Sequence, residues 1–324
     1  SFQNLQITKR MSKKYNFDTE QPTTSSSYAG ELAQAYISAA LLSGKTLSEN
    51  LITIKENVKY KGVLSTLASN GLITAASCDY LSAGGVTLAE RVITPENLQV
   101  NVTLCKQPFR SDWESMQTGG LRVDAVIPPN FETYLLLHVA GKIGADVENN
   151  IWQGNKTGAG TFASFDGLFT LSQVGTFVPA AQKVSNATDP LVDPVAVFEL
   201  MKAQIPTQLL FHPDLRLYVS PGVASAYIHA LGAQNYQFES FVGVKPLNYD
   251  GIQIEVANGM ANDELMISLN TNLFFGTNLL GDLNEAKVLD MSNLNGSDNV
   301  RVIFRFTGGT QIAIGEDVVT YKKS

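Results

Sequence analysis

The chain has little of what catalysis, metal binding and covalent stapling require. Two cysteines in 324 residues do not make a disulfide framework. If Leu81 faces Leu98 across a hairpin, Cys78 and Cys105 miss each other by four residues, so two free thiols are expected. Only three histidines are available as bases or ligands. His138 reads as a hydrogen-bonded core residue of a helix, His212 precedes Pro213 in a surface turn, and His229 sits on a short helix. No serine occupies a Gly-x-Ser-x-Gly elbow, and no His-x-x-x-His or Cys-x-x-Cys pair offers metal-ligand spacing. The run Ser43-Gly44-Lys45-Thr46 resembles the end of a phosphate loop, but Ala39 stands where that loop needs glycine, and the run closes a helix. No catalytic, cofactor or metal site is expected, and the chain reads as a non-enzyme.

Charge is sparse as well. Charged residues make up 16% of the chain, against about 25% in typical soluble proteins, and a surface so lightly charged often faces partners. The formal net charge of −7 lacks the basic face of a dedicated nucleic-acid binder. No apolar run approaches the ~18–20 residues that span a bilayer, and Ser1–Arg10 has no signal-peptide core. Folding in a reducing cytosol, with no membrane partner, is the expectation.

What charge there is falls unevenly. Residues 1–17 carry Lys9, Arg10, Lys13 and Lys14 and no acid, whereas acids outnumber bases over the rest. Residues 1–28 lack periodicity and end in a Thr/Ser run, as an arm that gains structure only on a partner would. A helix over 30–43, stopped by Gly44, follows from the steps Leu32, Ala35, Tyr36, Ala39 and Leu42. Residues 51–66 read as strands or a strand–helix junction. Two strand candidates, 72–81 and 98–106, flank a stretch of about 16 residues and suggest a long hairpin. In the second, Leu98, Val100, Val102 and Leu104 share one face. A lone two-stranded ribbon is marginal in water, so these four residues are expected on a neighbouring subunit, with little role in the subunit's own core.

Pro128-Pro129-Asn130 opens the strongest helix, with Phe131, Leu135, Val139, Ile143, Val147 and Ile151 at four-residue steps and an end at Gly154. Gly141 and Gly144 within it suggest close approach of another backbone. Beyond it the spacing predicts helices near 190–204 and 221–231 and strands at 216–219, 251–257 and 264–275. A terminal meander is expected, Lys287–Met291, Val300–Thr307 and Gln311–Ile314, with turns at Asn295-Gly296 and Gly308-Gly309. The fold class is α+β.

This order of parts resembles the Hong Kong 97-type major capsid proteins of tailed bacteriophages. The resemblance is carried by Trp152-Gln153-Gly154-Asn155 at the end of the long helix, Phe165-Asp166-Gly167-Leu168 after it, the strand-into-helix step Leu217–Ala224, and the closing strands. General texture points to a phage of Bacteroidota hosts. The resemblance implies an N-terminal arm (1–71), an extended loop (72–108), a peripheral domain with a long spine helix (109–154 and 286–324) and a mixed α/β axial domain (155–285). It further implies self-assembly into pentamers and hexamers of an icosahedral shell around double-stranded DNA, with non-specific DNA contact. Scaffolding, portal and decoration proteins are the implied partners, the virion and the host cytoplasm the implied locations. Inter-subunit contacts are expected at Lys9, Arg10, Lys13, Lys14, Arg91, Leu98, Val100, Val102 and Leu104. Some members weld subunits through a loop lysine; here residues 62–105 hold none, and Arg91 at the expected loop tip cannot serve as an amine nucleophile. An encapsulin-like compartment with a protein cargo shares the implied fold, and a cytosolic α/β enzyme is the reading from another class.

Overall fold

Apolar residues recurring on one stripe make a single long helix the frame of the molecule. The computed structural model describes residues 26–29, 37–70, 85–105, 131–158, 160–233, 247–278 and 285–324. It places that helix at Phe131–Gln153 (α1), 23 residues, or about 35 Å at 1.5 Å per residue. Leu136, Val139, Ala140, Ile143, Val147, Ile151 and Trp152 are buried along it. Gly144 meets the expected close approach, since a Cβ there would stand 2.7 Å from the Ala40 carbonyl oxygen, while Gly141 faces open space. His138 is exposed, not a core residue; the stripe passes through Leu136, Val139 and Ala140 and leaves position 138 outside it.

The backbone approaching Gly144 belongs to residues 37–52. Helical residues 37–41 bury Ile37, Ala40 and Leu41, and a short helical turn, Lys45–Ser48, buries Thr46 and Leu47. Residues 30–36 of the expected helix lie outside the described residues. A six-stranded sheet runs in the order β1 (Ser26–Ala29), β12 (Glu285–Asp290), β13 (Asn299–Ile312), β11 (Leu273–Gly276), β2 (Thr53–Lys55), with β5 (Glu96–Cys105) also paired to β13. Val300, Val302, Phe304 and Phe306 of β13 are buried while Arg301 and Arg305 are exposed, the alternation of a sheet with one face on a core.

Two expectations fail in this sheet. Gly308-Gly309 is not a turn, because β13 continues through it: residues 299–308 pair with β5 and residues 309–312 with β11. The glycines serve close packing. A Cβ on Gly309 would lie 3.0 Å from the Thr94 carbonyl oxygen, and one on Gly308 would lie 3.2 Å from Leu98 and from the Phe275 ring. The strand at 98–106 is likewise not half of the hairpin. As β5 it pairs antiparallel with β13, Val102 opposite Val302 and Val100 opposite Phe304. Leu98, Val100, Val102 and Leu104 are partly buried and pack on the subunit's own core.

The second six-stranded sheet has the order β6 (Lys183–Asn186), β14 (Val319–Lys323), β10 (Glu264–Leu269), β7 (Leu215–Val219), β9 (Ile252–Val256), β8 (Asn248–Tyr249). Two helices, α3 (Pro194–Lys202) and α4 (Pro221–Ala233), bury Val197, Phe198, Met201, Val223 and Tyr227 in one cluster with Leu217, Ile254, Leu265 and Tyr321 of the sheet. The two helices and strands β7 and β9 match the sequence expectation, but the segment expected as one strand at 264–275 is two, β10 here and β11 in the first sheet, parted by a helical turn at Asn270–Asn272. The range 286–324 does not follow the sheets, however, because β14 carries the chain's end into the second sheet beside β10. Trp152 and Tyr218, ring centroids 5.1 Å apart, join the long helix to that sheet. The Tyr218 hydroxyl donates to the Leu51 carbonyl at 2.7 Å, and burial holds its pKa far above the ordinary tyrosine value.

Candidate assembly surfaces

A hairpin does leave the body of the subunit, but it is built from an earlier stretch of chain. Strands β3 (Gly62–Asn70) and β4 (Gly85–Ile93) pair over nine residues, Gly62 opposite Ile93 and Asn70 opposite Gly85. Nine residues span about 30 Å. Its expected first strand, 72–81, with Cys78, lies outside the described residues.

The foot of this ribbon is fixed to the body. Ile93 and Leu64 are buried, the Lys55 amine donates to the Val63 carbonyl at 3.0 Å, and the Gln311 amide donates to the Val92 carbonyl at 2.8 Å. Arg91 belongs to this foot, opposite Leu64. Its guanidinium lies 3.6 Å from the centroid of the Phe177 ring and donates to Gln311 Oε1 at 3.3 Å. The expectation that Arg91 stands at a loop tip is therefore corrected; a cation over an aromatic face inside the subunit holds it.

The ribbon's outward face carries large apolar side chains around an exposed Ser65–Glu90 pair. Val63, Val92 and Leu88 are 48%, 41% and 58% exposed. Val63 and Val92 are cross-strand partners and therefore share one face, and Leu88, four residues before Val92 on the same strand, lies on that face too. A second surface is a groove of about 480 Å³ between β5 and α1, lined among others by Leu98, Val100, Asp146, Asn150 and Phe165. Its lining mixes apolar and polar side chains. The basic residues Lys9, Arg10, Lys13 and Lys14 lie outside the described residues.

The run Ser43–Thr46 finds an anion, but one supplied by the chain itself. The Thr46 backbone N–H and hydroxyl donate to the two carboxylate oxygens of Glu148 at 3.0 and 2.5 Å, and the Trp152 indole donates to the same hydroxyl at 2.8 Å. All three side chains are buried. One amide and one hydroxyl of the run hold a carboxylate of α1 in place of a phosphate, so the run is a structural clasp.

His212 and His229 are exposed, and the His212 ring nitrogen accepts from the Asp214 N–H at 3.2 Å. Among the described residues no group of His, Cys, Asp and Glu could hold a metal ion, and no helix is long and apolar enough to cross a membrane. Cys105 is exposed and unbridged.

No family model and no curated protein sequence matches the chain. Its backbone is nevertheless similar to solved phage shells. A chain of the satellite phage P4 procapsid, a structure that includes a size-determination protein, superposes with a TM-score of 0.56 at 11% identity, covering 89% of this chain and 98% of that one. The capsid of an empty GTA particle gives 0.55 at 14% identity, covering 88% and 96%. Mycobacterium phage Adephagia gives 0.53 at 15% identity, covering 87% and 90%. Such coverage at such low identity is a likeness of fold, and it extends over nearly the whole of both chains. The chain has the α+β fold of phage capsid shell proteins.

Proposed function

We propose that this chain is the major capsid subunit of a tailed bacteriophage, assembling as pentamers and hexamers into an icosahedral shell around double-stranded DNA. The observation that carries the reading is the near-complete two-way coverage by phage shell proteins. A ribbon whose outward face exposes Val63, Leu88 and Val92 around Glu90, and which no other element among the described residues covers, supports it. In this reading the β3/β4 ribbon is the extended loop, α1 and the first sheet are the peripheral domain, and the second sheet with α3 and α4 is the axial domain. The ribbon's outward face lies on the next subunit. The basic arm, with Lys9, Arg10, Lys13 and Lys14, crosses a neighbour, and the groove beside β5, walled by Leu98 and Val100, is the surface proposed to receive it. Asp146 gives that groove an acidic wall for the arm's lysines. Shell stability is then the sum of many modest contacts repeated by symmetry. Scaffolding, portal and decoration proteins are the further partners, and the subunit performs no catalysis.

Negative-stain microscopy of the purified protein tests this directly. Closed shells of uniform size are expected, and particles recovered from an infected host should hold nuclease-protected double-stranded DNA. A monodisperse monomer under all assembly conditions would overturn the shell reading, and shells filled with a protein cargo would favour a compartment. The absence of lysine from residues 62–105 adds a second expectation. Mature particles boiled with reductant should run as a single band near 35 kDa. A ladder of covalent dimers to hexamers would show a weld that uses other residues.

A further inference from the structure

The first sheet has two unlike faces. One packs Val300, Val302, Phe304 and Phe306 of β13, with Ala286 and Val288 of β12, into the core. The alternation therefore turns Arg301, Ile303 and Arg305 of β13 and Glu285, Lys287 and Leu289 of β12 to the other side. The register completes that face. Arg301 lies between Leu289 and Thr103, Ile303 between Lys287 and Asn101, and Arg305 between Glu285 and Gln99. Both arginines and the three β5 residues are exposed, and Lys287 is partly buried. Three bases thus meet one acid. Glu285 is ion-paired with Arg305 at 3.1 Å, and Asp298 stands outside the strand, one residue before its start. The face keeps an excess of positive charge on a chain whose formal net charge is −7.

The spacing and the neighbours of these cations say what they fit. Arg301 and Arg305 stand about 13 Å apart along one strand, and Lys287, diagonal to both, is about 7–8 Å from each. Duplex DNA presents a negative charge every ~1.7 Å of its axis, so each cation can reach a phosphate. Between them Gln99, Asn101 and Thr103 offer amide and hydroxyl groups of the kind that also bond phosphates. A protein partner calls for an apolar centre. This face has none: its apolar side chains, Leu289 and Ile303, are partly buried among the charges. None of the large apolar side chains exposed among the described residues lies on β5, β12 or β13.

We infer that this face binds the phosphate backbone of duplex DNA through Lys287, Arg301 and Arg305, without reading sequence, and is the side of the subunit turned to the lumen. The inference deepens the shell reading and rests on it. Its test compares the unassembled full chain with the triple variant Lys287→Gln, Arg301→Gln, Arg305→Gln, using a short labelled duplex of arbitrary sequence. Each lost contact should flatten the slope of log affinity against log salt by about 0.9, or about 2.7 in all. The wild-type advantage should accordingly shrink roughly 40-fold between about 50 and 200 mM salt. The variant's melting temperature should stay within about 2 °C of wild type, since the three side chains lie off the core. Cys105 reports which side the face takes, because it is exposed on the same face, opposite Asn299. With Cys78 replaced by serine, a maleimide on a bulky polymer should label Cys105 in free subunits and leave it untouched in closed shells. An unchanged slope in the triple variant, no duplex binding by wild type at the lower salt, or equal labelling in shells would overturn the inference. A variant that kept duplex binding but lost binding to polyglutamate would give the face to an acidic protein instead. If the slope fell as expected but the wild-type chain built no shells, the DNA contact would stand and the shell reading beneath it would fail.

Discussion

Leu88→Asp and Val92→Asp should abolish shell formation while leaving the melting temperature of the isolated subunit within about 2 °C of wild type. Both side chains are about half exposed on the ribbon's outward face, so a carboxylate there stays hydrated before assembly. On a neighbour's surface it would be buried without a partner, which costs several kcal/mol at every copy. Val102→Asp should behave in the reverse way. Val102 sits opposite the fully buried Val302 and packs on the subunit's core. A carboxylate there should cost about 3 kcal/mol in the subunit itself and lower its melting temperature by roughly 4–5 °C. Thermal unfolding of the isolated variants, read beside particle yield, separates the two surfaces. Normal shells from Leu88→Asp would remove the ribbon from the interface. An unperturbed Val102→Asp subunit would return β5 to the surface role that sequence reasoning gave it.

The second large effect is expected at the clasp between residues 43–46 and α1. Thr46→Val keeps the volume of the side chain but removes the hydroxyl. One oxygen of the buried Glu148 carboxylate then loses its partner, and the Trp152 indole N–H loses its acceptor. Breaking one partner away from a buried charge costs about 3–5 kcal/mol, or roughly 4–7 °C in melting temperature for a chain of this size. The strap at residues 37–52 should become the first site of proteolytic cleavage, since its attachment to α1 depends on that carboxylate. Lys45→Ala is the control. Lys45 pairs with Glu49 at 3.6 Å on the surface, and such helical pairs contribute about 0.3–0.5 kcal/mol. If Lys45→Ala proved as damaging as Thr46→Val, the lysine would have a role beyond the clasp.

The contrast between β5 and the ribbon shows what the sequence could and could not convey. Strict alternation over Leu98–Leu104 was legible, and the faces are as expected. Alternation of that clarity, however, marks a strand with one side on a core, so it belongs to the body of the subunit. The ribbon strands Gly62–Asn70 and Gly85–Ile93 alternate less cleanly because most of their length has no core to face. Partner and register are long-range properties, and the period of a strand does not encode them. The long helix, α3, α4, β7, β9 and β10 were legible because each has a local stop signal and a face packed on the two cores. Gly308-Gly309 was misleading for a related reason: glycine marks close approach as readily as a turn, and only the crowding by Thr94 and Leu98 distinguishes them.

The long helix touches both sheets, through Trp152 and Tyr218 on one side and the first sheet's core on the other. Gln153 adds a hydrogen bond to the Gly259 carbonyl at 2.6 Å, and the chain's last strand lies within the second sheet. A tile cross-braced in this way resists folding along the line between its halves. The proposed shell places copies in five-fold and six-fold rings that meet at different angles, and a stiff tile cannot absorb that difference internally. In the proposed shell, differences in curvature therefore fall to the connectors at the ribbon's root, Glu56–Lys61 and Thr94-Pro95.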